Sequence, residues 1–243
     1  LRFAFFSIFF PLFFKVPFLF LYFMTKLLLL YPPFCTPASP PYSLTYLHSF
    51  LQKNISPEHS VTVLDLNILF HGLRFPEYQK YFQQSSWLYY GEKTKKFLQL
   101  AGMCYSQNNK QVVHGDDPEL LSELVAEIVK KSPDVVAFSI VYSSQAFYAL
   151  ALILKLRALG IKIKTVIGGP AVNQKLAGIA DVVLKNEVDL LEHIEQKMIN
   201  HHTLKTERVL DFSVFDLSRY FIPEIVLPLR TSTSCYYQQC SFC

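Results

Sequence analysis

From residue 25 onward, short continuous apolar runs alternate with longer stretches in which apolar positions recur every three or four residues. The first run, Lys26-Leu-Leu-Leu-Leu-Tyr31, stops at Pro32-Pro33 and reads as a buried parallel strand ended by prolines. Leu44, Leu47, Phe50 and Leu51 then fall at helical spacing over residues 42–53. A second strand is expected over 60–65. A helix is expected over 118–131, with Pro118 in its first turn behind Asp116 and Asp117 as caps. Residues 134–139 read as a third strand and residues 144–159 as a helix closed by Gly160. A fourth strand over 161–167 ends at Gly168-Gly169-Pro170, a fifth and short one covers 181–184, and a last helix covers 187–198. Strand–helix alternation of this kind predicts an α/β fold with a doubly wound parallel sheet, flavodoxin-like or Rossmann-like.

Between Gly72 and Gly115 the alternation breaks. This aromatic-rich insert (Phe75, Tyr78, Tyr81, Phe82, Trp87, Tyr89, Tyr90) is expected to be helical in two pieces. Its aromatic stripe reads as core, with substrate or partner contact as the other use. Residues 201–223 look like a connector, and residues 224–229 like one further strand. Four segments result: an apolar stretch over 1–23, an α/β domain over 24–200, the connector over 201–223, and the start of another domain over 224–243.

Composition narrows the function classes. Hydrophobic residues make up 51% of the 243 and charged residues 17%, so the chain carries an ordered core. The formal charge of +4 is modest and no basic cluster alternates with aromatics, which disfavours nucleic acid as a partner. Lys93, Lys95 and Lys96 read as a solvated helix face. Ten of the 22 phenylalanines lie in residues 1–23. Length there would allow one membrane span, but Lys15, Pro11 and Pro17 interrupt it. Three readings stand for this stretch: translated sequence upstream of a start at Met24, a membrane anchor, or a signal or interaction segment. Membrane contact is expected only through it. Five cysteines, three of them at the end of the chain, do not form a disulfide framework, and a reducing, cytoplasmic setting fits best. Cys35 and Cys104 read as ordinary thiols.

The candidate chemistry is at the end of the chain, in Cys235-Tyr-Tyr-Gln-Gln-Cys240-Ser-Phe-Cys243. Three thiolates this close read as ligands of one metal centre. They are one short of the four that normally hold a four-iron, four-sulfur (4Fe-4S) cluster, which leaves an iron open to substrate. A structural zinc site would want a fourth protein ligand, and the nearest histidines, His201 and His202, are more than thirty residues upstream. In the sheet, ligands are expected beyond the carboxyl ends of the strands, at Tyr31-Pro32-Pro33, Asp65-Leu66-Asn67, Ser139-Ile140-Val141-Tyr142 and Gly168-Gly169-Pro170. The glycines there allow close approach of the backbone, although Gly-Gly-Pro after a strand is also an ordinary turn. No Gly-x-Gly-x-x-Gly follows the first strand, and phosphate-loop and nucleophile-elbow patterns are missing.

The segment from Leu227 to Cys243, with Thr231-Ser-Thr-Ser234 leading into the cysteines, resembles the start of a radical S-adenosylmethionine domain. It is most similar to the class carrying a cobalamin-binding domain in front of the barrel. Four residues instead of three separate the first two cysteines, and Ser234 stands where a glycine is usual. The resemblance implies a 4Fe-4S cluster on Cys235, Cys240 and Cys243, with S-adenosylmethionine on its open iron and Phe242 beside the adenine or cluster. It implies that residues 224–229 are the first barrel strand, that the barrel continues past Cys243, and that these residues alone are catalytically inert. Over residues 25–198 the order of loops resembles the family's cobalamin-binding domain, implying contacts from Asp65, Ser139, Val141, Gly168, Gly169 and Pro170. The Asp-x-His-x-x-Gly signature is missing, so no histidine is expected on the cobalt. The implied activity is methyl transfer or radical rearrangement on a natural product, peptide or lipid, with an external electron donor. The alternative is a non-catalytic cobalamin-binding sensor or carrier.

Overall fold

The computed structural model describes residues 24–205 and 209–230. Strand β1 (Lys26–Tyr31) buries Leu27 through Tyr31 on both faces, as a central parallel strand must. It pairs in parallel with β2 (Ser60–Asp65) on one side and β3 (Val135–Ser139) on the other. Then come β4 (Lys164–Gly168) and the short edge strand β5 (Val182–Leu184), giving the parallel order β2-β1-β3-β4-β5. This is the flavodoxin-like order, whose direction of growth reverses between β1 and β3.

Among the described residues, α1 (Tyr42–Asn54), α2 (Leu66–Arg74), α3 (Pro76–Gln84), α4 (Trp87–His114), α5 (Leu121–Lys130), α6 (Ser143–Ala158) and α7 (Gln174–Ala177) connect the strands, and α8 (Glu187–Glu195) follows β5. Helices α1 and α8 pack together on one face of the sheet, whereas α2, α4, α5 and α6 pack on the other. Phe75, Tyr78, Phe82 and Phe97 of the insert are buried and meet edge to face or tilted, with Phe82 and Phe97 5.6 Å apart. Tyr81 and Tyr90 are partly buried against this cluster, so five of the seven residues of the aromatic stripe face the core. Trp87 and Tyr89 at the start of α4 are exposed, as are Lys93, Lys95 and Lys96.

Several expectations are corrected. Helix α5 begins at Leu121, because Leu120 adopts a left-handed conformation (φ 61°) that breaks the turn Pro118 would have opened. Asp117 does not cap it; its carboxylate pairs with Lys155 at 2.6 Å. Strand β4 starts at Lys164, where pairing with Val135 becomes possible, and α8 stops at Gln196 (φ 52°). Residues 224–229 form no strand: the five-stranded sheet does not include them, and an unpaired segment has no ladder. The connector is part of the fold. Phe215, Tyr220, Phe221 and Ile222 are buried in the core.

Candidate functional site: a cleft at the carboxyl edge of the sheet

The two halves of the carboxyl edge differ. Between β1 and β3, where the strand order reverses, the crevice is filled by side chains. Gln145, fully buried, accepts from the backbone N–H groups of Val141 and Tyr142 (2.8 and 2.9 Å) and donates to the Pro32 carbonyl (2.8 Å). Phe34, in the loop after β1, stacks on Tyr105 (4.5 Å, 13°) and meets Phe70 edge-on (4.8 Å). Ser144 Oγ donates to the Phe34 carbonyl at 2.8 Å.

Above β2 a buried polar chain continues the seal. The Asp65 carboxylate caps α2 by accepting from Ile68 N–H (3.1 Å) and accepts from the Tyr220 hydroxyl (2.8 Å). Burial raises its pKa to about 6, with these two hydrogen bonds working in the opposite sense. His71 is fully buried, and that burial lowers its pKa to about 4. Both of its ring nitrogens are engaged, Nδ1 with the Asn67 carbonyl (2.7 Å) and Nε2 with the Tyr105 hydroxyl (2.5 Å). Cys35 is pushed up to about 12 by burial, so its sulfur is a thiol at neutral pH and not a nucleophile.

On the other side of the reversal point the edge is open. A cleft of about 290 Å³ lies above β3, β4 and β5, between α1 and α8. Its apolar walls include Leu47, Ala137, Val166 and Leu190. Polar groups meet in it as well. The Ser139 hydroxyl donates to the Ser43 hydroxyl (2.9 Å), and the Tyr46 hydroxyl donates to Glu187 (2.9 Å). Tyr42 and Tyr46 stack with centroids 5.9 Å apart. Lys185 and Arg230 complete the charged rim. Helix α8 opens onto the cleft with a built cap, in which Asn186 Oδ1 accepts from Val188 and Asp189 N–H.

The cleft brings together Ser139, Val141, Gly168, Gly169 and Pro170. Asp65 is not among its lining residues and sits in the sealed half. Cys235, Cys240, Cys243 and Phe242 lie outside the described residues, as do residues 1–23. Among the described residues no group of three or more His, Cys, Asp and Glu could hold a metal ion, and no helix is long and apolar enough to cross a membrane. Gly169 has a reason the sequence did not expose. It adopts φ 116°, and a Cβ there would run into the Ile140 carbonyl. Ile140 N–H donates to the Gly168 carbonyl (2.8 Å) and Ala171 N–H to the Ile140 carbonyl (3.1 Å), so the loop after β4 is pinned low against the loop after β3. The glycine serves contact between the two loops, and the cleft stays open above them. Ser43 and Tyr46 as lining residues were not legible either, since α1 meets β4, β5 and α8 only through the sheet's topology.

Residues 94–195 match the family model of the B12 binding domain. That span runs from α4 through α8 and holds every lining residue contributed by β3, β4, β5 and α8. The match supports cobalamin as the ligand class. A solved structure described as a novel cobalamin-binding protein from Desulfitobacterium hafniense DCB-2 resembles this chain with a TM-score of 0.40 at 15% sequence identity. The likeness covers 71% of this chain and 58% of that one, so this chain spans little more than half its length. No curated protein matches the chain.

Proposed function

We propose that this chain binds cobalamin at the α1–α8 cleft, as the cobalamin-binding part of a radical S-adenosylmethionine enzyme. The observation that carries the cobalamin reading is the coincidence of the matched span with the open half of the carboxyl edge. The residues fit a portion of that ligand. Pockets for drug-sized molecules run from about 300 Å³ upward, and this cleft of about 290 Å³ would hold only a part of so large a molecule. The apolar walls exclude water, the Ser43–Ser139 hydroxyl pair offers a donor and an acceptor beside them, and the pinned loop at residues 168–170 forms the floor's edge. His71 is sealed away from the cleft with both nitrogens occupied, so it is not positioned to reach a cobalt ion there.

The radical part rests on the cysteines. Cys235, Cys240 and Cys243 are the proposed cluster ligands, with Phe242 beside them, and a small molecule or peptide is the proposed substrate class. When bound, cobalamin supplies methyl-transfer or rearrangement chemistry, and the cluster with S-adenosylmethionine supplies the radical that starts it. The chain's own contribution is to bind, orient and exclude water.

Titration with hydroxocobalamin, followed by visible absorption, tests the first part. Saturable one-to-one binding is expected, weakened at least about tenfold in Ser139→Leu, which puts an apolar side chain where the hydroxyl pair stands. A parent chain with no saturable change sinks the reading. Anaerobic reconstitution with iron and sulfide tests the second part: a brown, reducible paramagnetic centre is expected, lost in Cys240→Ala. Cobalamin binding without such a centre points instead to a carrier or sensor module.

A further inference from the structure

The connector behind α8 does more than join segments. It runs back along α1, where the Asn54 side chain both donates to the Lys205 carbonyl (3.2 Å) and accepts from its N–H (2.8 Å). Farther on, Asp211 N–H reaches Ser49 Oγ (3.3 Å). It then crosses the sealed half of the carboxyl edge. Gln79 donates to the Arg219 carbonyl (2.5 Å) and Gln83 to the Ser218 carbonyl. Phe221 N–H donates to the Pro37 carbonyl (2.9 Å), and its ring sits 5.4 Å from Phe97 and 6.0 Å from His71.

A buried side-chain hydrogen bond ties this crossing to the sheet, from the Tyr220 hydroxyl to Asp65 at the end of β2. Ten residues later Arg230 lines the open cleft. The intervening Ile225, Val226, Leu227 and Leu229 are exposed and belong to no strand. With no ladder of its own, this segment leaves the anchored connector at one end and meets the cleft through Arg230 at the other.

We propose that the Tyr220–Asp65 hydrogen bond is a positioning contact for the cleft: it anchors the connector so that residues 224–230 run along the rim and Arg230 joins the lining. Tyr220 acts through the segment it holds and touches no ligand. The contribution of Arg230 is a guanidinium facing an anionic or carbonyl-bearing part of the ligand beside Ser43, Ser139 and Lys185. The ligand half of this proposal rests on the cobalamin reading above; the anchoring half stands without it.

Tyr220→Phe removes the hydroxyl and keeps the ring in the aromatic cluster. Hydrogen exchange on the ligand-free chain reads the anchoring alone. Faster exchange than in the parent is expected at residues 219–221, whose amides donate to the Asp216, Leu217 and Pro37 carbonyls, with β1, β3 and β4 unchanged. Unchanged exchange there overturns the proposal. Cobalamin affinity reads the consequence. Tyr220→Phe is expected to weaken binding about threefold to tenfold, the size of one lost hydrogen bond. Arg230→Gln is expected to weaken it similarly, and the double variant no further than the larger single effect, since both act on one rim. Additive losses, or a Tyr220→Phe chain that loses thermal stability at full affinity, would make the contact structural only and overturn the proposal. A parent chain that fails to bind cobalamin while Tyr220→Phe still loosens residues 219–221 would overturn the ligand half and leave the anchoring half standing.

Discussion

Asp65 and His71 are buried within one polar chain, yet their ionisations pull stability in opposite directions. Asp65 is raised from 3.8 to about 6, so the folded chain holds that proton more tightly than the unfolded one. Its favourable contribution is complete below the unfolded value and is lost as pH rises from about 4 to about 6. His71 is lowered from 6.5 to about 4, so the folded chain resists protonation, and stability is lost as pH falls from 6.5 towards 4. Across their shared window the two slopes oppose one another. Asp65→Asn therefore unmasks the histidine. Relative to this variant, the parent is expected to lose about 2 kcal/mol between pH 4 and pH 6 and to run parallel above pH 7. Urea midpoints measured for both chains at each pH give the difference directly, and parallel curves across the whole range would show that Asp65 does not titrate there. Nothing in the sequence signalled this pair. Asp65 stood out as the end of a strand where ligands gather, but its cap on α2 and its bond to Tyr220, 155 residues away, are products of the fold.

The strands were the most legible elements, for a physical reason. β1 and β2 are bounded by local signals, a proline pair after Tyr31 and a polar flank before Ser60, and their residues occupy the expected positions. Elements whose limits depend on distant pairing were less so. β4 begins only where Val135 offers a partner, α5 only where Leu120 releases the chain, and α7 is too short to carry a period. The connector's burial was invisible because Phe215, Tyr220 and Phe221 show neither helical nor strand periodicity; they fill a gap that the aromatic insert leaves. Gln145 illustrates the same limit at the start of α6. By sequence it is a polar residue in a first turn. In the fold its side chain joins the loop after β3 to the loop after β1 through three hydrogen bonds. Gln145→Leu keeps the volume and leaves two partly buried N–H groups and one buried carbonyl without their partner. A loss of about 3 kcal/mol is expected in thermal or denaturant unfolding. A loss below about 1 kcal/mol would mean that the crevice between β1 and β3 is not sealed by this residue.

The carboxyl edge is divided between closure and access. Parallel sheets of this order commonly admit ligands where the strand order reverses, between β1 and β3. Here Gln145, Phe34 and the connector occupy that place, and access moves towards β3, β4 and β5. The span similar to the B12 binding domain starts only at residue 94, so it leaves out β1, α1 and β2 and retains the strands under the open half. Division of the edge predicts where a bound ligand is felt. Hydrogen exchange with and without saturating hydroxocobalamin should show added protection at residues 42–47, 139–141, 168–170, 184–190 and 226–230. The amides of residues 31–35 and 65–71 should exchange as slowly in either state, because their shielding comes from the protein itself. Stabilisation by the ligand follows mass action, so about 100-fold excess over the dissociation constant raises global stability by about 2.7 kcal/mol. That global increment slows exchange everywhere it requires full unfolding, and the local footprint is read in amides that exchange by smaller openings. Protection centred on residues 31–35 and 65–71 would place the ligand at the reversal point, and the cleft between α1 and α8 would then not be its site.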